Sequence, residues 1–256
     1  MDGRSILTVA RYGVGIPTRG RPEMLEKCLE AIARQTLKPS LVIVVDNNDV
    51  PSVGPFLGMG LEIEVVRCDF ALPGPEQGHQ TALRILAERG FGFGVRWDDD
   101  LIPERECFGL LVKHVLAGAS AAGGMYPKPG DDRRSGIGEV GDGNPRHLQF
   151  FRWEGAPAIL TRDHLYSSFA YRVQNALLIG GFCVEYSRFG QGGETDMSRR
   201  LGTKGLLVVD TSAVAEHHWS PGGRRDMGQE EMAAMAAYDA SLYHRRMLIW
   251  GMDPEY

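Results

Sequence analysis

Through its first half the chain alternates short apolar runs with amphipathic stretches. Residues 14–17 are a brief apolar run closed by Pro17. After Arg21-Pro22, the positions Met24, Leu25, Cys28, Leu29 and Ile32 recur at helical spacing and predict a helix. Residues 41–45 are an unbroken run rich in β-branched side chains, the pattern of a strand buried on both faces. It ends in the loop chemistry of Asp46-Asn47-Asn48-Asp49. A third strand is predicted over 61–66. The turn Pro73-Gly74-Pro75 precedes a second helix, from about 77 to 88. A fourth strand over 93–97 stops at Asp98-Asp99-Asp100, and a third helix follows over 104–116. Strand and helix in regular alternation predict an α/β fold with a parallel, doubly wound sheet.

The second half is less regular. Residues 127–146 are rich in Gly, Pro, Asp and Arg without period and read as a mobile loop or lid. Apolar runs at 148–153 and 158–160 come next, then a predicted helix over 164–179 and a turn at Gly180-Gly181-Phe182. A helix begins at 194–201, a strand covers 206–209, and the tail over 229–249 is helical.

At 256 residues the chain suits one large α/β domain or two small abutting ones. Its net charge of −5 gives no general attraction to polyanions. Cys28, Cys68, Cys107 and Cys183 stand too far apart for a CxxC zinc or redox motif and read as reduced thiols. No long apolar run opens the chain, so neither a signal peptide nor a membrane anchor is expected, and the expected location is the cytoplasm.

Four clusters carry chemistry. Three consecutive acids, Asp98-Asp99-Asp100, repel one another unless a cation compensates, and Asp98 and Asp100 can face one hard ion such as magnesium or manganese. The competing reading is a solvated acidic turn. Asp46 ends a buried strand, where its carboxylate could accept a hydrogen bond from the imide of uracil; an Asx-turn is the alternative. In Gly192-Gly193-Glu194-Thr195-Asp196 the glycines admit close backbone approach, and Glu194 at a helix start is favoured as an anion and placed to act as general base. Here the competing reading is a simple N-terminal cap. His217 and His218 would point to opposite faces of a strand, so one of them can serve as a metal ligand while the other packs elsewhere.

In this order and spacing the clusters resemble the family 2 glycosyltransferases, inverting enzymes of the GT-A fold, over roughly residues 12–220. Ile16-Pro17-Thr18-Arg19-Gly20-Arg21-Pro22 looks like the family's opening strand and nucleotide-contacting loop. Val44-Val45-Asp46-Asn47-Asn48 resembles the strand whose aspartate recognises the base, and Gln80 stands where the family usually has Asn beside the donor. Asp98-Asp99-Asp100 resembles the DXD metal motif, and His217 the late histidine that completes the metal site. The acidic motif departs from the family pattern: the usual Glu-Asp pair appears as Gly193-Glu194.

The resemblance implies a mostly parallel twisted sheet flanked by helices, with residues 1–125 as a nucleotide-sugar-binding half and 126–256 as an acceptor-binding and catalytic-base half. It implies a nucleoside-diphosphate sugar donor, most often uridine-based, contacted by Pro17, Thr18, Arg19, Asp46, Asn48, Gln80, Asp98 and Asp99. A divalent metal, manganese or magnesium, would be held by Asp98, Asp100 and His217. Glu194 would be the catalytic base, with Asp196 as the second candidate. A saccharide or small natural product ranks above a modified nucleic-acid base as acceptor. Phe150, Phe151, Trp153, Tyr166, Phe169 and Tyr171 are stacking candidates, although core packing is the favoured reading for them. A nucleotidyltransferase and a binding module without catalysis are the competing functions. The apolar positions of the tail, Met232, Met235, Met247, Leu248 and Trp250, would pack on the core or on a second copy of the chain.

Overall fold

The computed structural model describes residues 11–51, 54, 56, 58–130, 135–137, 150–152, 157–218 and 227–254. Four parallel strands build the first part of the sheet: β1 (Tyr12–Thr18), β2 (Leu41–Asp46), β3 (Ile63–Arg67) and β4 (Phe93–Arg96). They lie in the order β3-β2-β1-β4. Helices α1 (Pro22–Ala33) and α2 (Pro75–Glu88) connect them. The alternation seen in the sequence becomes geometry at β2. Val42 and Val44 enter one core, with Leu25, Leu29, Trp97 and Phe108; Leu41, Ile43 and Val45 enter the other, with Ala82, Leu83 and Leu86.

The sheet then takes up strands from further along the chain. These are β5 (Leu101–Pro103), β6 (Ala121–Met125), β9 (Ile159–Arg162), β10 (Phe169–Arg172) and β11 (Leu207–His217), while β7 (Ser135–Ile137) and β8 (Phe150–Arg152) pair as a separate hairpin. The sheet continues β4-β10-β6-β11-β5, with β9 also beside β11. Strands β1 to β4, β6 and β11 run one way, and β5, β9 and β10 run against them. Helices α3 (Cys107–Leu116), α4 (Val173–Leu178), α5 (Gly193–Gly202) and α6 (Gln229–Ile249) complete the fold. The result is the expected mostly parallel α/β sheet flanked by helices. No helix among the described residues is long and apolar enough to cross a membrane.

Several boundaries differ from the sequence reading for physical reasons. Strand β1 runs through Pro17. Gly15 accepts from the Trp97 N–H on the β4 side, so Pro17, two residues on, has its missing N–H on that same side, past the last β1–β4 pair, Gly15↔Arg96. The helix expected over 164–179 is strand β10 for part of its length and helix only over Val173–Leu178. Strand β6, Ala-Ala-Gly-Gly-Met, escaped the sequence reading because it has no β-branched residue. Strand β11 extends well past the expected 206–209. Its polar stretch Asp210-Thr211-Ser212 coincides with a register shift against β6, and the buried Asp210 is met by His114 Nε2 at 2.7 Å. The loop expected over 127–146 lies largely outside the described residues, as do the side chains of Phe150, Phe151 and Trp153. Phe169 and Tyr171 are core residues.

Two glycine strands allow close packing. A Cβ at Gly15 would sit 2.5 Å from that of Ala82, so α2 lies directly on β1. A Cβ at Gly124 would run into the carbonyl oxygen of Ala213, which is backbone and cannot yield. Gly124→Ala is therefore expected to destabilise the protein by about 1–3 kcal/mol in chemical denaturation. A variant as stable as the parent would show that β6 and β11 can part without cost.

Candidate active site

Parallel α/β sheets place ligand sites beyond the carboxyl ends of their strands, where the strand order reverses. Here the reversal falls between β1 and β4. A cleft of about 900 Å³, open mouth included, lies there. Its walls include Pro17 and Thr18 at the end of β1 and Arg19 just after it, Asn47 after β2, Asp98, Asp99 and Asp100 after β4, Tyr166 and Ser167 before β10, Arg188 and Gly190 before α5, Glu194 in α5, and His217 at the end of β11.

The three acids meet different sets of partners. Asp98 Oδ2 accepts from Ser167 Oγ at 2.6 Å, and Oδ1 lies 3.2 Å from Arg96 Nη1. Burial opposes its charge, but the Arg96 guanidinium, His79 and the Ser167 hydroxyl hold the carboxyl well below the usual range. Asp99 accepts from Thr18 Oγ1 at 2.7 Å and pairs with Arg21. Burial, reinforced by the neighbouring carboxylates, outweighs Arg21 and pushes it up to about 7. Asp100 pairs with Arg21 Nη1 at 2.7 Å, and its other oxygen lies 3.4 Å from His217 Nε2. Burial again opposes the charge, and His217 and Arg21 together keep Asp100 below its ordinary value. Arg21 thus stands as a fixed cation between two acids.

A second charged layer lies behind. Arg96 is buried, contacts Glu76 Oε1 at 3.1 Å, and donates to the Ser167 carbonyl. Ser167 has a positive φ of 53°, rare outside glycine, and that backbone turn presents both its hydroxyl and its carbonyl to the Arg96–Asp98 pair. Burial pushes Glu76 up to about 7 against the pull of Arg96. Helix α5 begins on Gly193 because a side chain there would collide with the Glu76 carboxyl group. His79 is driven down to about 3, first by burial and then by Arg96, so it is neutral.

The cleft brings together Pro17, Thr18, Arg19, Asp98, Asp99, Asp100, Glu194 and His217, all expected from the sequence. Of the two adjacent histidines, His217 faces Asp100, whereas His218 Nε2 lies 3.5 Å from Glu216. Four expected residues stand elsewhere. Asp46 sits behind the wall: Oδ1 accepts from the Asn48 backbone at 2.9 Å in an Asx-turn, and Oδ2 meets Arg67 at 3.2 Å. Asn48 receives the Gly20 N–H at 2.8 Å and so ties two loops together. Gln80 accepts from Phe182 N at 2.8 Å and secures the Gly180-Gly181 turn. Asp196 is the second candidate base. It is fully buried between Arg200 at 2.7 Å and Arg246 at 2.8 Å, and it does not line the cleft. The sequence reading did not single out His79, Arg96, Ser167 or Arg188, and it included Arg21 only as part of the nucleotide-contacting loop. The one available signal was position, since Arg21 and Arg96 flank the very motifs that were singled out.

Residues 13–161, more than half of the sequence, match the family described as Glycosyl transferase family 2, and the chain belongs to that family. Among solved structures it is similar to S. aureus TarS, with a TM-score of 0.60 and 14% identity, over 91% of this chain and 40% of that one. It is also similar to TarS 1–349 in complex with UDP (TM-score 0.59, 14% identity, 92% and 72% covered). A third similar structure is TarS 1–349 in complex with UDP-GlcNAc (TM-score 0.58, 13% identity, 91% and 66% covered). The chain spans about two fifths of the longer TarS chain, and at these identities the likeness is one of fold. No curated protein sequence matches the chain. The family match includes the acid triplet but ends before Glu194 and His217.

Proposed function

We propose that the cleft binds a nucleoside-diphosphate sugar, uridine-based, and that the chain transfers the sugar to an acceptor hydroxyl with inversion. The observation that carries this reading is the convergence of the acid triplet, Arg19 and Glu194 on one cleft from distant parts of the sequence. The complexes of similarly folded TarS with UDP and UDP-GlcNAc support the choice of donor.

The donor set suits a divalent ion of the magnesium or manganese type. Such ions commonly take one or two protein ligands and fill the remainder with phosphate oxygens and water. Asp100 and His217, 3.4 Å apart at the cleft wall, would be that pair of ligands; no cluster of three His, Cys, Asp or Glu residues capable of holding a metal occurs among the described residues. Both carboxylates already have protein partners, Asp98 in Ser167 and Arg96 and Asp100 in Arg21, and an ion would have to compete with these. When bound, the ion would neutralise charge on the leaving diphosphate.

The chain's own groups do the rest. Arg19 and Arg21 line the cleft where the diphosphate would lie. The Glu194 carboxylate accepts the proton of the acceptor hydroxyl as its oxygen bonds to the anomeric carbon. The bond from that carbon to the diphosphate breaks, and nucleoside diphosphate leaves. Incubation with a panel of nucleotide sugars and acceptors in the presence of manganese is expected to release nucleoside diphosphate. Release of pyrophosphate would instead indicate a nucleotidyltransferase, and binding without turnover across a wide panel a non-catalytic module. Excess chelator is expected to stop transfer and added manganese to restore it; undiminished transfer in chelator would overturn the metal assignment.

A further inference from the structure

We propose that Asp239, on the C-terminal helix α6, is a positioning residue. It fixes residues 187–191 as the cleft wall that carries Arg188 and leads into Glu194. The proposal rests on the reading of the cleft as the donor site.

Asp239 is fully buried and does not itself line the cleft. Its two oxygens accept three hydrogen bonds, all from the one segment: Ser187 N at 2.7 Å, Ser187 Oγ at 2.8 Å and Gln191 N at 2.9 Å. The Ser187 hydroxyl in turn accepts from Phe189 N at 3.1 Å. The carboxylate therefore grips the segment on both sides of Arg188 and Gly190, the two residues that line the cleft. The segment has no strand or helix partner of its own between α4 and α5, so these bonds satisfy backbone groups that the sheet does not.

The other side of the segment meets the first half of the fold. A Cβ at Gly74 would stand 2.8 Å from Arg188 Cα, and one at Gly190 3.1 Å from Pro75 Cδ. The wall is thus closed against the start of α2, and α6 holds it there. Helix α6 repeats the attachment beyond Glu194, where Arg246 reaches Asp196 at 2.8 Å and Tyr243 receives Arg199 at 3.0 Å. A helix far from the reacting groups in sequence sets both the wall and the base-bearing helix.

Asp239→Asn tests this. The amide keeps the shape but offers one acceptor oxygen to three donors, so at least one link must fail. Hydrogen exchange in 185–192 is expected to accelerate about tenfold while β1 and β2 keep their protection, and UDP affinity or turnover is expected to fall by a comparable factor. Ser187→Ala removes the hydroxyl link alone. It is expected to give the same pattern at smaller size, and it serves if Asp239→Asn fails to fold. Unchanged exchange in 185–192 would overturn the proposal. So would faster exchange with UDP affinity and turnover both at parental values. A parent protein that binds no UDP would overturn the donor-site reading instead, and the exchange comparison alone would then decide the role of Asp239.

Discussion

Glu194→Gln is expected to leave donor binding intact and to lower sugar transfer by about 10²–10⁴-fold, the usual contribution of a positioned general base. Glutamine keeps the size and hydrogen-bonding reach of the side chain but cannot take a proton from the acceptor. Glu194 sits in the first turn of α5 and lines the cleft with Asp98 and Arg19. Steady-state rates together with calorimetric titration of UDP separate chemistry from binding. Turnover equal to the parent would remove Glu194 from the role, and loss of UDP binding would recast it as a binding residue.

Two positions along the same helix the expectation reverses. Asp196→Ala is expected to cost about 3–5 kcal/mol of stability, the range seen when one partner of a buried ion pair is deleted. Arg200 is 1% exposed and would be left inside the protein without its carboxylate. It also donates to the Ile179 and Gly181 carbonyls at 2.8 and 2.9 Å, so its displacement would loosen the end of α4 as well. Arg246 would lose its anchor to α5. Chemical denaturation measures the loss. A variant within about 1 kcal/mol of the parent would show that the pair is a surface-like contact of small worth. The two acids, similar on paper, thus divide into one that faces the cleft and one that holds the helix.

How much of this could be read beforehand follows from where each signal is local. The bounds of α6 match the reading over 229–249 because a glycine precedes the helix and nothing interrupts its pattern. Asp98-Asp99-Asp100 stood out because acids after a buried strand are costly unless something answers them. Their answers were not legible: Arg21, Arg96 and Ser167 come from separate elements and meet the acids only once the sheet is folded. Strand β10 was misread for a similar reason. Ser-Phe-Ala-Tyr-Arg runs straight into a helix, and it is held extended by pairing with β4 and β6 on its two sides, which overrides local preference. The Tyr171 ring lies where a side chain at Gly94 would be, so one bare position on β4 selects the partner strand. Gln80 and Asp196 were drawn toward the site by their neighbours in sequence. The 3.6-residue helix period turns each of them away from the cleft.

The insertion of β10 between β4 and β6 has a practical corollary. A truncated product ending at residue 125 would retain β1 to β4 and every acid of the triplet, but the far edge of β4 would be bare, its amides and carbonyls facing solvent beside Val95. Such an edge invites pairing with another copy and precipitation. Residues 1–125 should therefore resist isolation as a stable fragment, and dissecting the protein will require point changes rather than scissors.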